Sequence, residues 1–154
     1  MTRLAILLAL IVSTFTATTA ADARNLDLVL DPAFSAEEVA VITESVAVWQ
    51  DAGMALRIGT VGPVNVKRIT GAALPSAEGG NAVQLAAANQ YGILVWIDAI
   101  KSNEQLLETM THELTHYMGV DYHSEDGDCT NAFTIHCAGG PSKSDIAHVH
   151  AAQH

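Results

Sequence analysis

The first periodic pattern in the chain is an alternation of apolar and polar residues over 25–32, NLDLVLDP, which predicts a strand that ends at its Asp-Pro pair. MALRIGTV (54–61) and VNVKRITG (64–71) predict two more strands with a Gly-Pro turn between them. YGILVWIDAI (91–100) is almost continuously apolar, which is typical of a central strand buried on both faces. AVQLAAA (82–88) fits either a strand or a short helix, and its alanines leave the choice open.

Two segments near the ends of the chain predict helices. In FSAEEVAVITESVAVWQDAG (34–53), Ser35 and Glu38 form a capping box, and the apolar stripe comprises Val39, Ile42, Val46 and Trp49. The final segment begins a short helix with a cap formed by Ser142 and Asp145. Strand, helix, several strands, helix, irregular loop and helix therefore follow one another, and this order predicts an α+β fold.

The helix between these two carries the most distinctive motif. It begins at Ser102, where Gln105 completes a second capping box, and its core-facing stripe comprises Leu107, Met110, Leu114 and Met118. His112 and His116 fall close together on the opposite face. We therefore expect this helix to lie across the floor of a cleft, with the histidine pair facing away from the core.

The N-terminus predicts export. Arg3 precedes an apolar run over 4–12, and an A-x-A site follows at 21–23, so residues 1–23 have the layout of a cleaved signal peptide. The run is too short to span a bilayer, which needs about 20 apolar residues. In an exported protein, Cys129 and Cys137 favour a disulfide, with thiolate metal ligands as the alternative. We expect residues 24–154 to be one secreted or periplasmic domain.

The charge balance restricts the partners. The chain has 17 acidic and 7 basic residues and a net charge of −10. Nucleic acids and anionic membranes bind basic surfaces, so neither is an expected partner. The same charge balance does not argue against an enzyme. We expect the protein to be a monomer.

The central motif has the chemistry of a metal site. His112 and His116 are one helical turn apart, so both imidazoles can reach one metal ion. Glu113 projects from the same turn but is angled away from the pair, which suits it to hold a metal-bound water. This is the H-E-x-x-H arrangement of two zinc ligands and a general base. Zinc lowers the pKa of its water to about 7, and the carboxylate takes the proton as the water attacks a carbonyl.

A third ligand is expected shortly after the helix, because catalytic zinc sites use three protein ligands. Gly119 can adopt a left-handed conformation, end the helix and turn the chain back toward the metal. His123 is the natural donor on the returning segment. Asp121 and Tyr122 are neighbours that compete with it for this role.

HELTHYMGVDYHS (112–124) resembles the matrixin branch of the metzincin clan of zinc endopeptidases, whose pattern is H-E-x-x-H-x-x-G-x-x-H-S. The strand-helix-strand opening and PSKSDIAHV (141–149) are also similar to that family. The resemblance implies a small metzincin-like domain with a twisted mixed sheet. It implies a secreted zinc endopeptidase in which His112, His116 and His123 bind Zn²⁺ and Glu113 is the general base. It further implies an extended substrate paired with an edge strand near residues 82–88.

The chain departs from this family at two positions. The third histidine of the pattern falls where this chain has Tyr122, so His123 is one residue late. The family places a methionine beneath the metal, and this chain has none after Met118. The matching stretch is FTIHCAG (133–139), where Ile135 provides an apolar floor or His136 provides an alternative ligand.

Two other segments carry candidate ligands. His148, His150 and His154 form either a second metal site or a solvated tail, and we interpret them as a tail. EDGDCTN (125–131) has oxygen donors for weak Ca²⁺ binding but lacks the full calcium-loop pattern. The alternatives to an endopeptidase are a catalytically inactive metal-binding or interaction domain and a histidine-rich metal carrier.

Overall fold

Residues 26–75, 84–131 and 137–153 are described in the computed structural model of the chain. They form three α-helices and two small β-sheets, which is the α+β class that the sequence predicts. The predicted signal peptide lies outside the described residues. Across the described ranges, no helix has both the length and the apolar character needed to cross a membrane.

The strands form two sheets that one bridge connects. In chain order they are β1 (Leu26–Leu28), β2 (Leu56–Ile58), β3 (Val66–Ile69), β4 (Ala86–Asn89) and β5 (Gly92–Trp96). β1 pairs with β2 in parallel, and the second sheet has the order β3-β5-β4, with β4 antiparallel to β5. A parallel bridge between Leu30 and Val66 joins the two sheets.

β5 is the central strand of its sheet, as predicted from residues 91–100, but its burial differs from the prediction. Ile93 and Val95 are fully buried, whereas Leu94 between them is 38% exposed. Successive side chains of a strand point to opposite faces, so Ile93 and Val95 share the face that packs into the core. On the other face Leu94 is partly exposed, whereas Trp96 is only 8% exposed. The strand ends at Trp96 and a short 3-10 helix follows it. The prediction of burial on both faces was therefore wrong at Leu94.

The three helices begin at the predicted residues. They are α1 (Ala36–Asp51), α2 (Asn103–Tyr117) and α3 (Lys143–Ala152). Ser35 and Glu38 form the complete capping box expected of α1. Ser102 caps α2 by accepting from the Gln105 N–H, but the Gln105 side chain accepts from the Lys101 N–H at 2.7 Å instead of closing the box. The backbone N–H groups of Lys101 and Ser102 both precede the first turn of α2, and each needs an acceptor. The Gln105 side chain serves the Lys101 N–H and not the Ser102 N–H.

The C-terminal half of α2 is buried on nearly all sides. Met110 and Leu114 of the predicted stripe are fully buried. On another face, the Trp49 indole N–H of α1 donates to the Thr111 carbonyl at 2.9 Å and ties the two helices together. The His112 side is only 5% exposed, so this part of the helix is more enclosed than the floor of an open cleft.

Candidate metal centre

Three histidines converge at the end of α2. The Nε2 atom of His116 lies 3.2 Å from Nε2 of His112 and 3.2 Å from Nε2 of His123. One ligand atom from each residue lies within 4.8 Å of the others, which is close enough for all three to bind one metal ion. A tetrahedral zinc ion with Zn–N distances of about 2.0–2.1 Å sets its nitrogen ligands about 3.3 Å apart, so the spacing fits such an ion.

Two of the imidazoles are held in the tautomer that a metal requires. His112 Nδ1 lies 2.6 Å from the carbonyl oxygen of Cys129, and His116 Nδ1 lies 2.6 Å from that of Val120. A carbonyl only accepts, so each Nδ1 carries the proton and each Nε2 keeps a free lone pair. These lone pairs belong to the nitrogens that converge.

The turn after α2 is built on a glycine, as predicted. Gly119 has φ +111°, its N–H donates to the His116 carbonyl at 3.0 Å, and the Val120 N–H donates to the Thr115 carbonyl at 3.1 Å. This pair of bonds is a Schellman motif, which reverses the chain after the helix. The reversal has two consequences. It brings the Val120 carbonyl to His116, and it brings His123 back to the other two histidines, which together form the metal group.

The loop that contains the Cys129 carbonyl is held in place by a buried carboxylate. Asp145, in the first turn of α3, is fully buried, and its oxygens accept six hydrogen bonds at 2.7–3.1 Å. Four of them come from residues 128–130 and two from Ser142. Burial raises the pKa of the Asp145 carboxyl, but these bonds outweigh it and hold the pKa below its ordinary value. The carboxylate thereby fixes the loop whose Cys129 carbonyl orients His112.

Glu113 lies beside the three histidines without joining them. Its side chain is only 7% exposed, and its carboxylate accepts a hydrogen bond from the Ala88 N–H of β4. Burial raises the pKa of Glu113 to about 7, and the Ala88 bond opposes part of that rise. A carboxyl group that titrates near neutral pH is matched to the work of a general base.

Two of the three histidines, His112 and His116, are poor proton acceptors. Burial, reinforced by the neighbouring His116, lowers the pKa of His112 to about 4 despite the Cys129 carbonyl. Burial also lowers the pKa of His116, although the Val120 carbonyl raises it. Both rings therefore stay neutral at physiological pH, and neutral imidazole is the form that binds metals.

β4 borders the site along its open edge. The prediction for residues 82–88 left strand and helix open, and the structure has a strand from Ala86 onward. The Trp96 N–H donates to the Leu85 carbonyl, so by antiparallel alternation the backbone groups of Ala86 and Ala88 point away from β5. Among the described strands, β4 has β5 as its sole neighbour. The Ala88 N–H that reaches Glu113 belongs to this outward-facing set.

A cleft of 410 Å³ opens next to the histidines. One wall is the β4–β5 turn, and the other is the segment that follows α2. The cleft is lined by Ala88, Asn89, Gln90, Tyr91, His116, Gly119, Val120 and Asp121. A chain paired with the edge of β4 would therefore place a side chain beside His116.

The competing third ligands are placed differently. The Tyr122 hydroxyl lies 2.7 Å from His148 Nδ1, so the phenol bonds to α3. Asp121 is exposed and lines the cleft. His136 and Ile135, the residues proposed in place of the family's methionine, lie outside the described residues.

The predicted disulfide between Cys129 and Cys137 is confirmed, so neither cysteine is a free thiolate ligand. Within the described ranges, the three histidines are the only group of three or more His, Cys, Asp or Glu side chains that can share an ion. The acidic segment 125–131 and the described C-terminal histidines, His148 and His150, gain no support as further metal sites. His154 lies outside the described residues.

Two residues hold the segments around the three histidines in place, and the sequence did not predict this role for either of them. Asp145 was identified only as a helix cap, although its carboxylate also holds residues 128–130. His148 was assigned to a solvated tail, whereas it bonds to Tyr122 and Asp126. The one available signal was that Ser144 and His148 lie one helical turn apart on a common face of α3.

No model of a known protein family and no curated protein sequence matches the chain. The chemistry of the site is therefore what indicates the function.

Proposed function

We propose that this protein is an exported zinc-dependent endopeptidase of the metzincin type. The observation that carries the proposal is the position of Glu113, which is buried beside three converging histidines and bonded to the open edge of β4. A site that only stores or displays a metal has no need of a carboxylate there. Its place beside the histidines and its pKa of about 7 support the role of a general base.

His112, His116 and His123 would hold the zinc ion. Zinc supplies Lewis acidity, which activates water and polarises a carbonyl. Glu113 would accept the proton released as water adds to the peptide carbonyl and then deliver it to the leaving amine. The Ala88 N–H keeps the carboxylate oriented for both transfers.

The substrate would bind in extended form. The backbone groups of Ala86 and Ala88 point out of the sheet, so a peptide can add to β4 as a further strand. This pairing leads the peptide past Glu113 and along the cleft beside His116. Folded proteins rarely offer a free extended segment, so unfolded or flexible chains are the expected substrates.

The test compares Glu113→Gln with wild type for zinc content and for cleavage of an unfolded, casein-like protein. We expect the variant to keep its zinc and to lose about 10²–10⁴-fold in rate. Glu104→Gln is the matched control, because Glu104 is an exposed glutamate in the first turn of the same helix.

Two outcomes contradict the proposal. Equal cleavage rates for Glu113→Gln and wild type would show that Glu113 is not the general base. A wild type that holds one zinc per chain and cleaves no unfolded polypeptide would instead be a catalytically inactive metal-binding domain.

A further inference from the structure

We propose that His148 is a positioning residue for the metal centre, because it fixes the segment that carries the His123 ligand against α3. The inference rests on the metal site of the proposed function, but not on peptide hydrolysis. It gives a role to a histidine of α3 that the metal group itself does not use.

The two ring nitrogens of His148 bond to opposite ends of that segment. Nδ1 lies 2.7 Å from the Tyr122 hydroxyl, and Nε2 lies 3.0 Å from Asp126 Oδ1. The carboxylate can only accept, so Nε2 carries the proton and Nδ1 accepts from the Tyr122 hydroxyl. One neutral tautomer thus satisfies both contacts. The Tyr122 and His148 rings also meet edge to face, with centroids 5.5 Å apart.

Asp126 extends this connection. Its other oxygen accepts from the Ser144 hydroxyl at 2.7 Å, and Ser144 lies one turn before His148 on α3. The Ser124 hydroxyl donates to Asp126 as well, and the Ser124 N–H donates to the Thr130 carbonyl at 3.0 Å. Hydrogen bonds therefore link residues on both sides of His123 to α3.

These attachments matter most for the third ligand. His112 and His116 stand on a regular helix, whose backbone bonds fix their spacing. His123 is exposed and belongs to a segment with no helix or strand. Ordering such a segment costs conformational entropy, and contacts that order it before the metal arrives leave less of that cost to binding.

Among the described residues, the network does not have enough ligand groups for a second metal site. His148 and Asp126 supply two ligand groups, and no third His, Cys, Asp or Glu of the described residues joins them. Support of a metal ligand by outer hydrogen-bonded residues is general, and losing such a residue typically costs about 10–100-fold in metal affinity.

The experiment measures zinc affinity by chelator competition and records the visible spectrum of the Co²⁺-substituted protein. His148→Phe keeps an aromatic ring and removes both nitrogens, and Tyr122→Phe removes only the hydroxyl. The control is His150→Phe, because His150 is an exposed histidine two residues further along α3. We expect His148→Phe to bind zinc about tenfold more weakly, and its Co²⁺ spectrum to shift toward that of His123→Ala. His150→Phe should match wild type.

The shared bond predicts non-additivity. Tyr122→Phe should weaken zinc binding less than His148→Phe, and the double variant should be no weaker than His148→Phe alone. If His148→Phe fails to fold, the comparison of Tyr122→Phe with wild type decides alone.

If His148→Phe has the zinc affinity and the Co²⁺ spectrum of wild type, the inference is overturned, even if the variant melts at a lower temperature. The same result in Tyr122→Phe overturns it where that variant decides alone. Weaker zinc binding in these variants, in a protein that cleaves no peptide, would support the inference while the endopeptidase proposal fails. A wild type that binds neither Zn²⁺ nor Co²⁺ would overturn both.

Discussion

The Nδ1 atom of His112 and the carbonyl oxygen of Cys129 lie 2.6 Å apart, and this contact joins α2 to the loop that α3 holds in place. The Cys129 N–H donates to Asp145, and its side chain forms the disulfide with Cys137. The orientation of a residue in α2 is therefore decided by a carboxylate in α3. Residues that touch no metal accordingly become targets for mutation.

The first prediction concerns the third ligand. His123→Ala should lower zinc affinity by far more than Tyr122→Phe, because only His123 places a nitrogen in the three-histidine group. The measurement is zinc stoichiometry and affinity for His123→Ala, Tyr122→Phe and His136→Ala. If His136→Ala alone loses the metal, His123 is not the third ligand.

The second prediction concerns Asp145. Asp145→Asn keeps the shape of the side chain but replaces an accepting oxygen with an amide group that donates, so about half of the bonds to residues 128–130 and Ser142 are lost. We expect a loss of about 3 kcal/mol in the free energy of unfolding and zinc binding about tenfold weaker. Denaturant unfolding and chelator competition measure the two effects. Asp128→Asn, an exposed aspartate in the same loop, should change neither.

The third prediction concerns the glycine that reverses the chain. At φ +111° any other residue is strained, and a Cβ on Gly119 would lie 3.3 Å from the Ala152 carbonyl oxygen. Gly119→Ala should cost about 1–2 kcal/mol of stability and weaken zinc binding, because the Val120 carbonyl would move relative to His116. The matched control is Gly139→Ala, where an added Cβ meets no atom within 4 Å. Equal melting temperatures and zinc affinities for the two variants would contradict this account.

The fourth prediction concerns pH and Glu113 in the metal-free protein. The pKa of Glu113 is raised from 4.5 to about 7 by burial, so the folded state binds a proton that the unfolded state has already lost. The Glu113 contribution to stability is constant below pH 4.5, falls as pH rises toward 7, and stays at its lowest value above 7. The glutamine in Glu113→Gln cannot ionise. The free energy of unfolding of this variant should therefore exceed that of wild type by about 3 kcal/mol at pH 8 and by much less at pH 4.5.

The measurement is urea unfolding of both proteins at the two pH values with a chelator present. The chelator matters, because a bound cation would favour the ionised carboxylate. An unchanged difference in the free energy of unfolding between pH 4.5 and pH 8 would show that Glu113 does not titrate as described. Glu104→Gln again serves as the control.

The sequence by itself determined the local elements. The Ser35–Glu38 and Ser142–Asp145 caps, the histidine pair on α2 and the turn at Gly119 all follow the prediction. Each depends on residues within about one helical turn, where backbone geometry fixes which groups can meet. The disulfide was also predictable, because the chain has only two cysteines.

Only the tertiary structure decided how the site is supported. His112 meets Cys129 from 17 residues away, and Tyr122 meets His148 from 26 residues away, so both contacts depend on where the loop and α3 pack. Packing also placed Leu94 on an exposed face and turned Tyr122 toward α3, while His123 joined the metal group. Sequence periodicity reports which face of an element is apolar, but not which distant element covers it. The packing of α3 against the 121–130 segment set those remaining contacts.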